Sequence, residues 1–276
     1  MTDPISLAAE EWFGIKADPG DVKRLQAWLC ESYGGESSDI LRKVFSSGEA
    51  AAFLTVNETY FFREPLHFTF LLDLLPVFQK SSLNPSLRIC SDAVATGCEA
   101  YSIAMLIEAY NRARILEKEK PLSYHIDAFD INPKVIEAAC QGLYNPRSLR
   151  EDGSSFHYMA NPYLKKLGTS AKGTGQRPEG VYLVDSSLRE NIRFFVHNLM
   201  NEIHSINSDL GYDLIFFRNA FIYFTPQNRG RILSNLSAAL KDGGILMMGV
   251  SETAGANPPD MEAKNKGDVF YFQKPL

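Results

Sequence analysis

The chain has no general excess of positive charge, and this absence limits its partners. Its 276 residues carry 28 Lys and Arg against 33 Asp and Glu, a formal net charge of −5 at pH 7. A basic surface is the usual electrostatic signature of proteins that bind nucleic acid or anionic membranes. We therefore expect no nucleic-acid partner.

Closely spaced metal ligands and paired cysteines are also missing. The five histidines are scattered, and no CxxC pair occurs among the four cysteines, Cys30, Cys90, Cys98 and Cys140. Structural zinc needs ligands at short spacing, and disulfide frameworks are typical of short secreted chains. The sequence predicts neither a metal site nor disulfides.

Long apolar runs are absent as well. The most apolar stretch, "FTFLLDLLPVF", is interrupted by Asp73 and Pro76 and is too short to span a bilayer. The N-terminus, "MTDPISLAAEEWFGIK", has acids where a signal peptide has a basic region. We expect a cytoplasmic protein without membrane insertion. With 45% hydrophobic residues, the composition supports a sizeable core.

A helical region precedes a region of alternating strands and helices. Acidic caps and apolar residues at helical spacing predict helices over "DPGDVKRLQAWLCESYG" and "SSDILRKVFSSGEAAAFL", and another over "PLHFTFLLDLLPVFQ". Beyond these, apolar strands such as "LRICSDA", "YHIDAFDI" and "ILMMGVSE" alternate with helices. This order predicts an α/β fold with a parallel sheet covered by helices on both faces.

The segment from about residue 145 to 190 does not fit the alternation. It is long, polar and rich in glycine, and a structureless loop of that length is uncommon in a compact domain. We interpret it as an inserted subdomain with a hairpin around "GTSAKGTGQRPEG". The predicted organisation is thus a helical N-terminal domain (1–55) followed by an α/β domain (56–276) that contains this insertion.

The turn after the first predicted strand is built from small residues. Ala93, Ala95 and Gly97 occupy alternate positions, and Glu99 follows at the start of a helix. In open α/β sheets, ligands bind beyond the carboxyl ends of the strands, and small residues let the backbone approach them. The turn is not GxGxxG, so a ligand with nucleoside and amino-acid parts but no phosphates suits it better than a dinucleotide. Tight packing alone is the alternative.

The second predicted strand ends in an acid. Asp130 closes "IDAFD", and Asp127 lies earlier in the same strand. A carboxylate at the end of this strand can accept both hydroxyls of a ribose. Together with the small-residue turn, this acid suggests S-adenosylmethionine as the cofactor. Asp130 could instead cap the following helix.

Further motifs indicate a family. "NETYFFRE" (57–64), "ATGCEAYSIAM" (95–105) and "RNAFIYF" (218–224), together with "FDIN" and "HNL", resemble the chemotaxis receptor methyltransferases, the CheR family. That family transfers a methyl group from S-adenosylmethionine to glutamate side chains of chemoreceptors. The resemblance implies a Rossmann-like methyltransferase sheet, a small helical N-terminal domain and an inserted antiparallel β-subdomain.

The resemblance also assigns residues to the cofactor's amino-acid end. Asn57, Thr59 and Arg63 of "NETYFFR" would lie at the methionine part, with Ala93 and Glu99 in the first turn. The carboxylate of Glu99 would face the amino group of the cofactor.

The remaining assignments follow the same resemblance. Asp130 would hold the ribose, and Asn198 and Leu199 of "HNL" would border the adenine. Asn219 and Tyr223 of "RNAFIYF" would close the site, with Tyr223 near the transferred methyl group.

The sequence departs from the family's pattern beside this turn. Cys98 stands where the family commonly has the first glutamate of "TGEE", whereas Glu99 keeps the second. Ala100 stands where proline is common, and the inserted segment is longer than in enterobacterial relatives. Cys98 has no evident basic partner, so we do not expect a catalytic thiol.

Methyl transfer to a carboxylate needs alignment more than a base. A glutamate side chain is ionised at neutral pH, so the predicted catalytic residues are Arg63, which would orient it, and Tyr223, which would position the methyl group or the acceptor oxygen. Alternatively, Arg63 pairs with Glu64 or another acid, and Tyr223 is an ordinary core residue. If these alternatives hold, the chain could methylate another protein or a small molecule, or bind the cofactor without turnover.

We expect the protein to be a monomer and its protein partner to be the cytoplasmic helical domain of a chemoreceptor. Residues 1–50 hold nine acids and five bases, so the segment as a whole is acidic, although Lys23, Arg24, Arg42 and Lys43 could still form a local basic face. A solvated helix surface is the commoner explanation for such residues. The glycine-rich hairpin region predicts that binding does not depend on a receptor pentapeptide.

Overall fold

A computed structural model describes residues 3–80, 86–150, 156–167, 180–203 and 211–276. The helices are α1 (Pro4–Ala8), α2 (Pro19–Tyr33), α3 (Ser38–Ser46), α4 (Ala51–Leu54), α5 (Pro65–Lys80), α6 (Cys98–Leu116), α7 (Pro133–Gln141), α8 (His157–Ala160), α9 (Ser186–Arg189) and α10 (Pro226–Ala239). The strands are β1 (Ser86–Asp92), β2 (Ser123–Asp130), β3 (Leu143–Tyr144), β4 (Leu164–Leu167), β5 (Val181–Val184), β6 (Ile192–Val196), β7 (Tyr212–Phe217), β8 (Leu240–Met248), β9 (Glu262–Lys266) and β10 (Val269–Gln273).

The main sheet has the order β6-β2-β1-β7-β8-β10-β9. Strands β6, β2, β1, β7 and β8 run parallel, as the alternation of strands and helices predicts. The order reverses at β1, whose neighbours are β2 and β7. A crevice therefore opens beyond the carboxyl ends of these three strands, which is where ligands bind in open α/β sheets.

The far edge of the sheet differs from the predicted parallel arrangement. Strand β10 pairs antiparallel with β8, and β9 pairs antiparallel with β10. The two residues between β9 and β10 allow only a hairpin, because parallel strands need a long crossover. Strand β9, "EAKNK", lacks apolar alternation and was not predicted. Its charged side chains suit an edge strand, which must not pair with other chains.

Helices cover both faces of the sheet, which confirms the predicted layers. Leu71 of α5 and Ile103 of α6 are fully buried on one face, and Ile232 and Leu236 of α10 are fully buried on the other. No helix among the described residues combines the length and apolar character needed to cross a bilayer.

Helices α1 to α4 form a separate small core around Leu25, Leu29 and Phe45. The helix predicted from residue 37 to 54 is interrupted between α3 and α4 at Gly48, whose φ is +77°. A β-carbon at this position would lie 2.7 Å from the carbonyl oxygen of Ile131. The helical cluster therefore packs directly against the segment that follows β2, at the carboxyl edge of the sheet.

The inserted segment forms a second, antiparallel sheet of order β3-β5-β4. Leu164 of β4 pairs with Val184 of β5, and Leu143 of β3 pairs with Leu183. The predicted antiparallel β-subdomain is thus present. The hairpin tip, on which the expectation about a receptor pentapeptide depends, lies in residues 168–179, outside the described residues.

Candidate cofactor and active site

A cavity occupies the crevice at the carboxyl ends of β1, β2 and β7. Its wall brings together all ten residues predicted for the site: Asn57, Thr59, Arg63, Ala93, Glu99, Asp130, Asn198, Leu199, Asn219 and Tyr223. These residues come from five separate stretches of the chain, so the fold assembles them. Among the described residues, no group of His, Cys, Asp and Glu has the geometry to hold a metal ion.

The turn after β1 explains the run of small residues. Ala93 and Ala95 have φ of +53° and +50°, a left-handed conformation that costs roughly 1–2 kcal/mol per residue other than glycine. Gly97 has a φ of +88°, and a β-carbon there would lie 2.9 Å from that of Ala139. The turn is therefore both strained and tightly packed, which is common where a backbone is shaped for a ligand.

Left-handed residues concentrate at this cavity. Phe62, Glu64 and Asn219 share the conformation with φ of +55°, +58° and +60°. Each belongs to a motif that supplies cavity residues. Backbone strain of this kind persists only where the surrounding structure fixes it, and it clusters at functional sites.

Asp130 lines the cavity and also stabilises the turn after β1. Its two carboxylate oxygens accept hydrogen bonds from the backbone N–H groups of Ala95, at 3.0 Å, and Asn132, at 2.9 Å. Burial raises the pKa of this carboxyl, and the backbone hydrogen bonds oppose that effect. Each oxygen keeps a second lone pair for a ligand hydroxyl. Asp127, the earlier acid of β2, is fully buried and bound to Arg193 and Tyr212 instead.

Glu99 is held by two partners. One carboxylate oxygen accepts from the hydroxyl of Ser91 at 2.8 Å, and the other from the guanidinium of Arg218 at 2.9 Å. Its place in the first turn of α6 also suits a negative charge, because the helix dipole is positive there. The carboxylate is thus fixed at the cavity wall.

Arg218 is the central residue of this network, and it was not among the predicted site residues. Besides Glu99, it bonds Glu64 at 3.0 Å and the carbonyl oxygen of Arg63. Burial favours the neutral form of Glu64, but a hydrogen bond from His67 and the charge of Arg218 outweigh it and lower the pKa of Glu64. The motif "RNAFIYF" contains Arg218, so a signal was available.

Arg63 is not the partner of Glu64, contrary to the simplest alternative. The oxygens of Glu64 are taken by Arg218 and by the amide of Asn219, which donates at 3.0 Å. Arg63 donates instead to the carbonyl oxygen of Glu58 at 3.0 Å. Its guanidinium lies at the cavity wall, where it can receive a carboxylate.

Tyr223 is half-buried and lines the same cavity as Arg63. Burial raises the pKa of its hydroxyl, and the positive charge of Arg63 partly opposes this rise, which places the two side chains near each other. The carbonyl oxygen of Tyr223 accepts a hydrogen bond from the N–H of Lys16 at 3.1 Å. The N-terminal segment thus fixes the backbone that presents this tyrosine.

Apolar side chains that the sequence did not suggest also line the cavity. Phe13 and Ile15 of the N-terminal segment join the buried Leu199 in its wall, and Ile15 forms a β-bridge with Phe224. Asn198 donates its amide hydrogen to the carbonyl oxygen of Trp12 at 2.6 Å. No pattern in the sequence marks Phe13 or Ile15 as site residues, because they act only through the docking of the helical cluster.

Asn219 is positioned by a buried acid that was also missed. Glu252 accepts hydrogen bonds from the N–H groups of Asn219 at 2.7 Å, Gly249 at 3.1 Å and Ile222 at 3.2 Å. This carboxylate therefore ties the loop after β8 to the loop after β7. An acid shortly after the end of a parallel strand was the available signal.

Cys98 lies in contact with the site, but its thiol is unreactive. Burial raises the pKa of its thiol to about 12, against the opposing influence of Thr96 and Thr59. A thiol that stays protonated is a poor nucleophile, which agrees with the expectation that Cys98 is not catalytic.

The fold and the cavity define a methyltransferase of the Rossmann-like class, and comparisons identify the family. The family model "CheR methyltransferase, SAM binding domain" matches residues 57–270. The chain therefore belongs to the CheR methyltransferase family and uses S-adenosylmethionine.

Curated relatives agree with this assignment. The chain is 29% identical to chemotaxis protein methyltransferase 1 of Vibrio cholerae serotype O1, over 78% of this chain and 74% of that protein. It is 28% identical to the chemotaxis protein methyltransferase of Listeria monocytogenes, over 82% and 76% of the two chains. For that of Borreliella burgdorferi the identity is 32%, over 74% and 67%.

Proposed function

We propose that this methyltransferase acts on glutamate side chains of chemoreceptors, with Arg63 and Tyr223 as its catalytic residues. The observation that carries the proposal is the placement of these two side chains together at one cavity wall, beside residues suited to the cofactor. Relatives named as chemotaxis protein methyltransferases support the substrate class.

The residues of the cavity suit the parts of S-adenosylmethionine. The fixed carboxylate of Glu99 matches an amino group, and Asp130 has free lone pairs for ribose hydroxyls. Phe13, Ile15 and Leu199 offer an apolar surface for adenine. Asn57, Thr59 and Asn219 would complete the pocket at the methionine end.

The cofactor supplies an activated methyl group on a positively charged sulfur. In the displacement, an oxygen of the acceptor carboxylate forms a bond to the methyl carbon, while the sulfur–carbon bond breaks and its electron pair stays on sulfur. Arg63 would orient the acceptor carboxylate through charge-assisted hydrogen bonds. Tyr223 would hold the acceptor oxygen in line, and the enclosing wall would exclude water.

The proposal extends to partners and organisation. A cytoplasmic, helical receptor domain would be the substrate of a monomeric enzyme located in the cytoplasm. We further propose that residues 1–55 form one domain and 56–276 the other, because helices α1 to α4 share their own core. Of the four N-terminal bases, Arg24 pairs with Asp21 and Lys43 lies over Tyr33, so this segment offers little free positive charge.

The test is transfer of a radiolabelled methyl group to purified receptor cytoplasmic fragments, followed by release of methanol in base. We expect base-labile label on the fragments, and none on fragments whose acceptor glutamates are replaced by alanine. Stable label, or label only on small molecules, would refute the proposed substrate.

A further inference from the structure

Asp92, the last residue of β1, is an acid at the cavity wall to which the sequence assigned no role. It lies in the middle of the sheet, where its strand partners are Phe129 of β2 and Phe217 of β7. It is only 2% exposed and lines the same cavity as the ten predicted residues.

The carboxyl of Asp92 is not satisfied by the protein. Its Oδ2 is buried and has no hydrogen-bond partner among the described residues. Other buried acids are well supplied, since Asp130 accepts two backbone N–H groups and Glu252 accepts three. A buried polar atom without a partner is unfavourable, so its retention at a ligand cavity indicates that a ligand supplies what is missing.

The charges around Asp92 are mostly negative. Glu99 acts on it from α6 and Asp130 from the end of β2. The two arginines that line the same cavity are Arg218, already bound to two acids, and Arg63, which donates to the carbonyl oxygen of Glu58. Burial raises the pKa of Asp92 well above its usual value, the backbone N–H of Ala93 opposes this rise, and Asp130 and Glu99 add to it. Cys90 on its own strand stays a neutral thiol, because burial raises its pKa as well. The unpartnered, buried carboxyl among negative neighbours therefore favours its protonated form in the free protein.

The position of Asp92 relates it to one part of the cofactor. Its electrostatic neighbours are Glu99, placed at the amino group, and Asp130, placed at the ribose. In S-adenosylmethionine the atom between those two groups is the positively charged sulfur. We propose that Asp92 faces this sulfonium and releases its proton to solvent when the cofactor binds, so that the pocket favours S-adenosylmethionine over the uncharged sulfur of S-adenosylhomocysteine.

This inference rests on the proposed binding mode, but not on the identity of the methyl acceptor. A carboxylate and a cation brought together in a buried site attract strongly, and a nearby cation favours the ionised form of an acid. The product lacks that cation, so its binding leaves Asp92 protonated. The difference would help the product to leave after each methyl transfer.

Calorimetry of the full chain tests the proposal directly. Binding of each ligand at pH 7.0, in two buffers of different ionisation enthalpy, gives the number of protons released. For the wild-type protein we expect close to one more proton released with S-adenosylmethionine than with S-adenosylhomocysteine. Equal numbers for the two ligands would overturn the proposal without any variant.

Variants then test whether the additional proton comes from Asp92. Asp92→Asn, which keeps the shape of a protonated acid, should abolish the extra release and reduce the preference for S-adenosylmethionine by about tenfold, a factor that corresponds to one pKa unit of interaction. The cofactor's own amino group titrates alike in both proteins, so the comparison isolates Asp92. The exposed Asp242→Asn is the matched control and should change neither quantity. An unchanged extra release in Asp92→Asn would overturn the proposal, and failure to methylate receptors would refute only the proposed substrate.

Discussion

Acids within the sheet and acids at the cavity illustrate how the protein separates stability from binding. Within the sheet, Asp127 on β2 is surrounded by donors: Arg193 bonds one oxygen at 2.9 Å, Tyr212 bonds the other at 2.9 Å, and His125 lies 3.2 Å away. At the carboxyl edge, three acids line the cavity, and we call them the cavity acids: Asp92, Glu99 and Asp130.

Asp127 and Asp92 differ in how far the protein satisfies them, because both oxygens of Asp127 accept hydrogen bonds whereas Oδ2 of Asp92 has no partner among the described residues. Burial favours the neutral form of Asp127, but His125, Tyr212 and Arg193 outweigh it and lower the pKa of Asp127. At the cavity, burial prevails and raises the pKa values of Asp92 and Asp130. An acid whose partners are complete stabilises the fold, whereas an acid left incomplete beside a cavity is available to a ligand.

The largest effect on stability is expected from replacing Asp127, the acid whose hydrogen-bond partners are complete. Asp127→Asn removes the buried charge that accepts from the half-exposed Arg193 and from Tyr212, which should lower the free energy of unfolding by about 1.5–3 kcal/mol, the scale for hydrogen bonds to a charged group. Urea unfolding would measure the loss. The affinity of the folded protein for S-adenosylmethionine should stay within about twofold, because Asp127 does not line the cavity.

An exposed aspartate is the control, because it carries the same charge as Asp127 without the burial. Asp242→Asn, at an exposed position, should change the free energy of unfolding by less than about 0.5 kcal/mol. If the Asp127 variant were as stable as the Asp242 variant, the cations around Asp127 would have no role in stability.

Next in size is the loss of catalysis at the cavity wall. Arg63→Ala should reduce the rate of methyl transfer by about 100-fold, the scale for removing one donor that acts on the transition state. Tyr223→Phe should reduce it by about tenfold. Both variants should keep cofactor affinity and unfolding stability near wild type, because Arg63 bonds only a carbonyl oxygen in the described structure and phenylalanine keeps the packing of Tyr223.

Single-turnover kinetics and calorimetry on the same preparations would distinguish the roles. Parallel losses in rate and in cofactor affinity would make the two residues binding residues only. Full activity of either variant would remove that residue from the catalytic set.

A smaller effect is expected for the ribose acid. Asp130→Ala should weaken binding of S-adenosylmethionine by roughly 1–3 kcal/mol, the scale for hydrogen bonds that involve a charged group. Part of this loss would come from the turn, because Asp130 also holds the N–H of Ala95. Calorimetry measures it, and an affinity equal to that of the Asp127→Asn variant would exclude Asp130 from the site.

The sequence predicted what local chemistry dictates. Strands β1 and β2 are apolar runs, and the small residues from Ala93 to Gly97 are required by left-handed backbone and close packing that only such residues tolerate. These constraints act within a few residues, so a pattern reveals them. The motifs then led to the ten residues that the cavity brings together.

What the sequence did not predict depends on contacts between distant segments. The central place of Arg218 follows from Glu64 and Glu99, which lie over 100 residues away from it in the chain. Phe13 and Ile15 reach the cavity only because the helical cluster docks on the sheet. Strand β9 has no apolar period, since an exposed edge requires none.

The pH dependence of stability gives the sharpest contrast between Asp92 and Asp127. The folded-state pKa of Asp92 is raised, so the folded protein holds this proton more tightly than the unfolded chain. Its stabilising contribution is present at low pH and declines as the pH rises above the ordinary aspartate value near 4. Asparagine cannot ionise, so Asp92→Asn should become steadily more stable relative to wild type as the pH rises from 4 to 7.

The contribution of Asp127 to stability should change with pH in the opposite direction. Its folded-state pKa is lowered, so its contribution is present above the ordinary aspartate value and is lost as the pH falls. The deficit of Asp127→Asn should therefore be largest at neutral pH and shrink in acid. Urea unfolding of both variants without ligand, at pH 4, 5.5 and 7, would measure the two slopes. Slopes of the same sign would show that the protein satisfies Asp92 as fully as Asp127, and the distinction between stabilising and ligand-binding acids on these strands would fail.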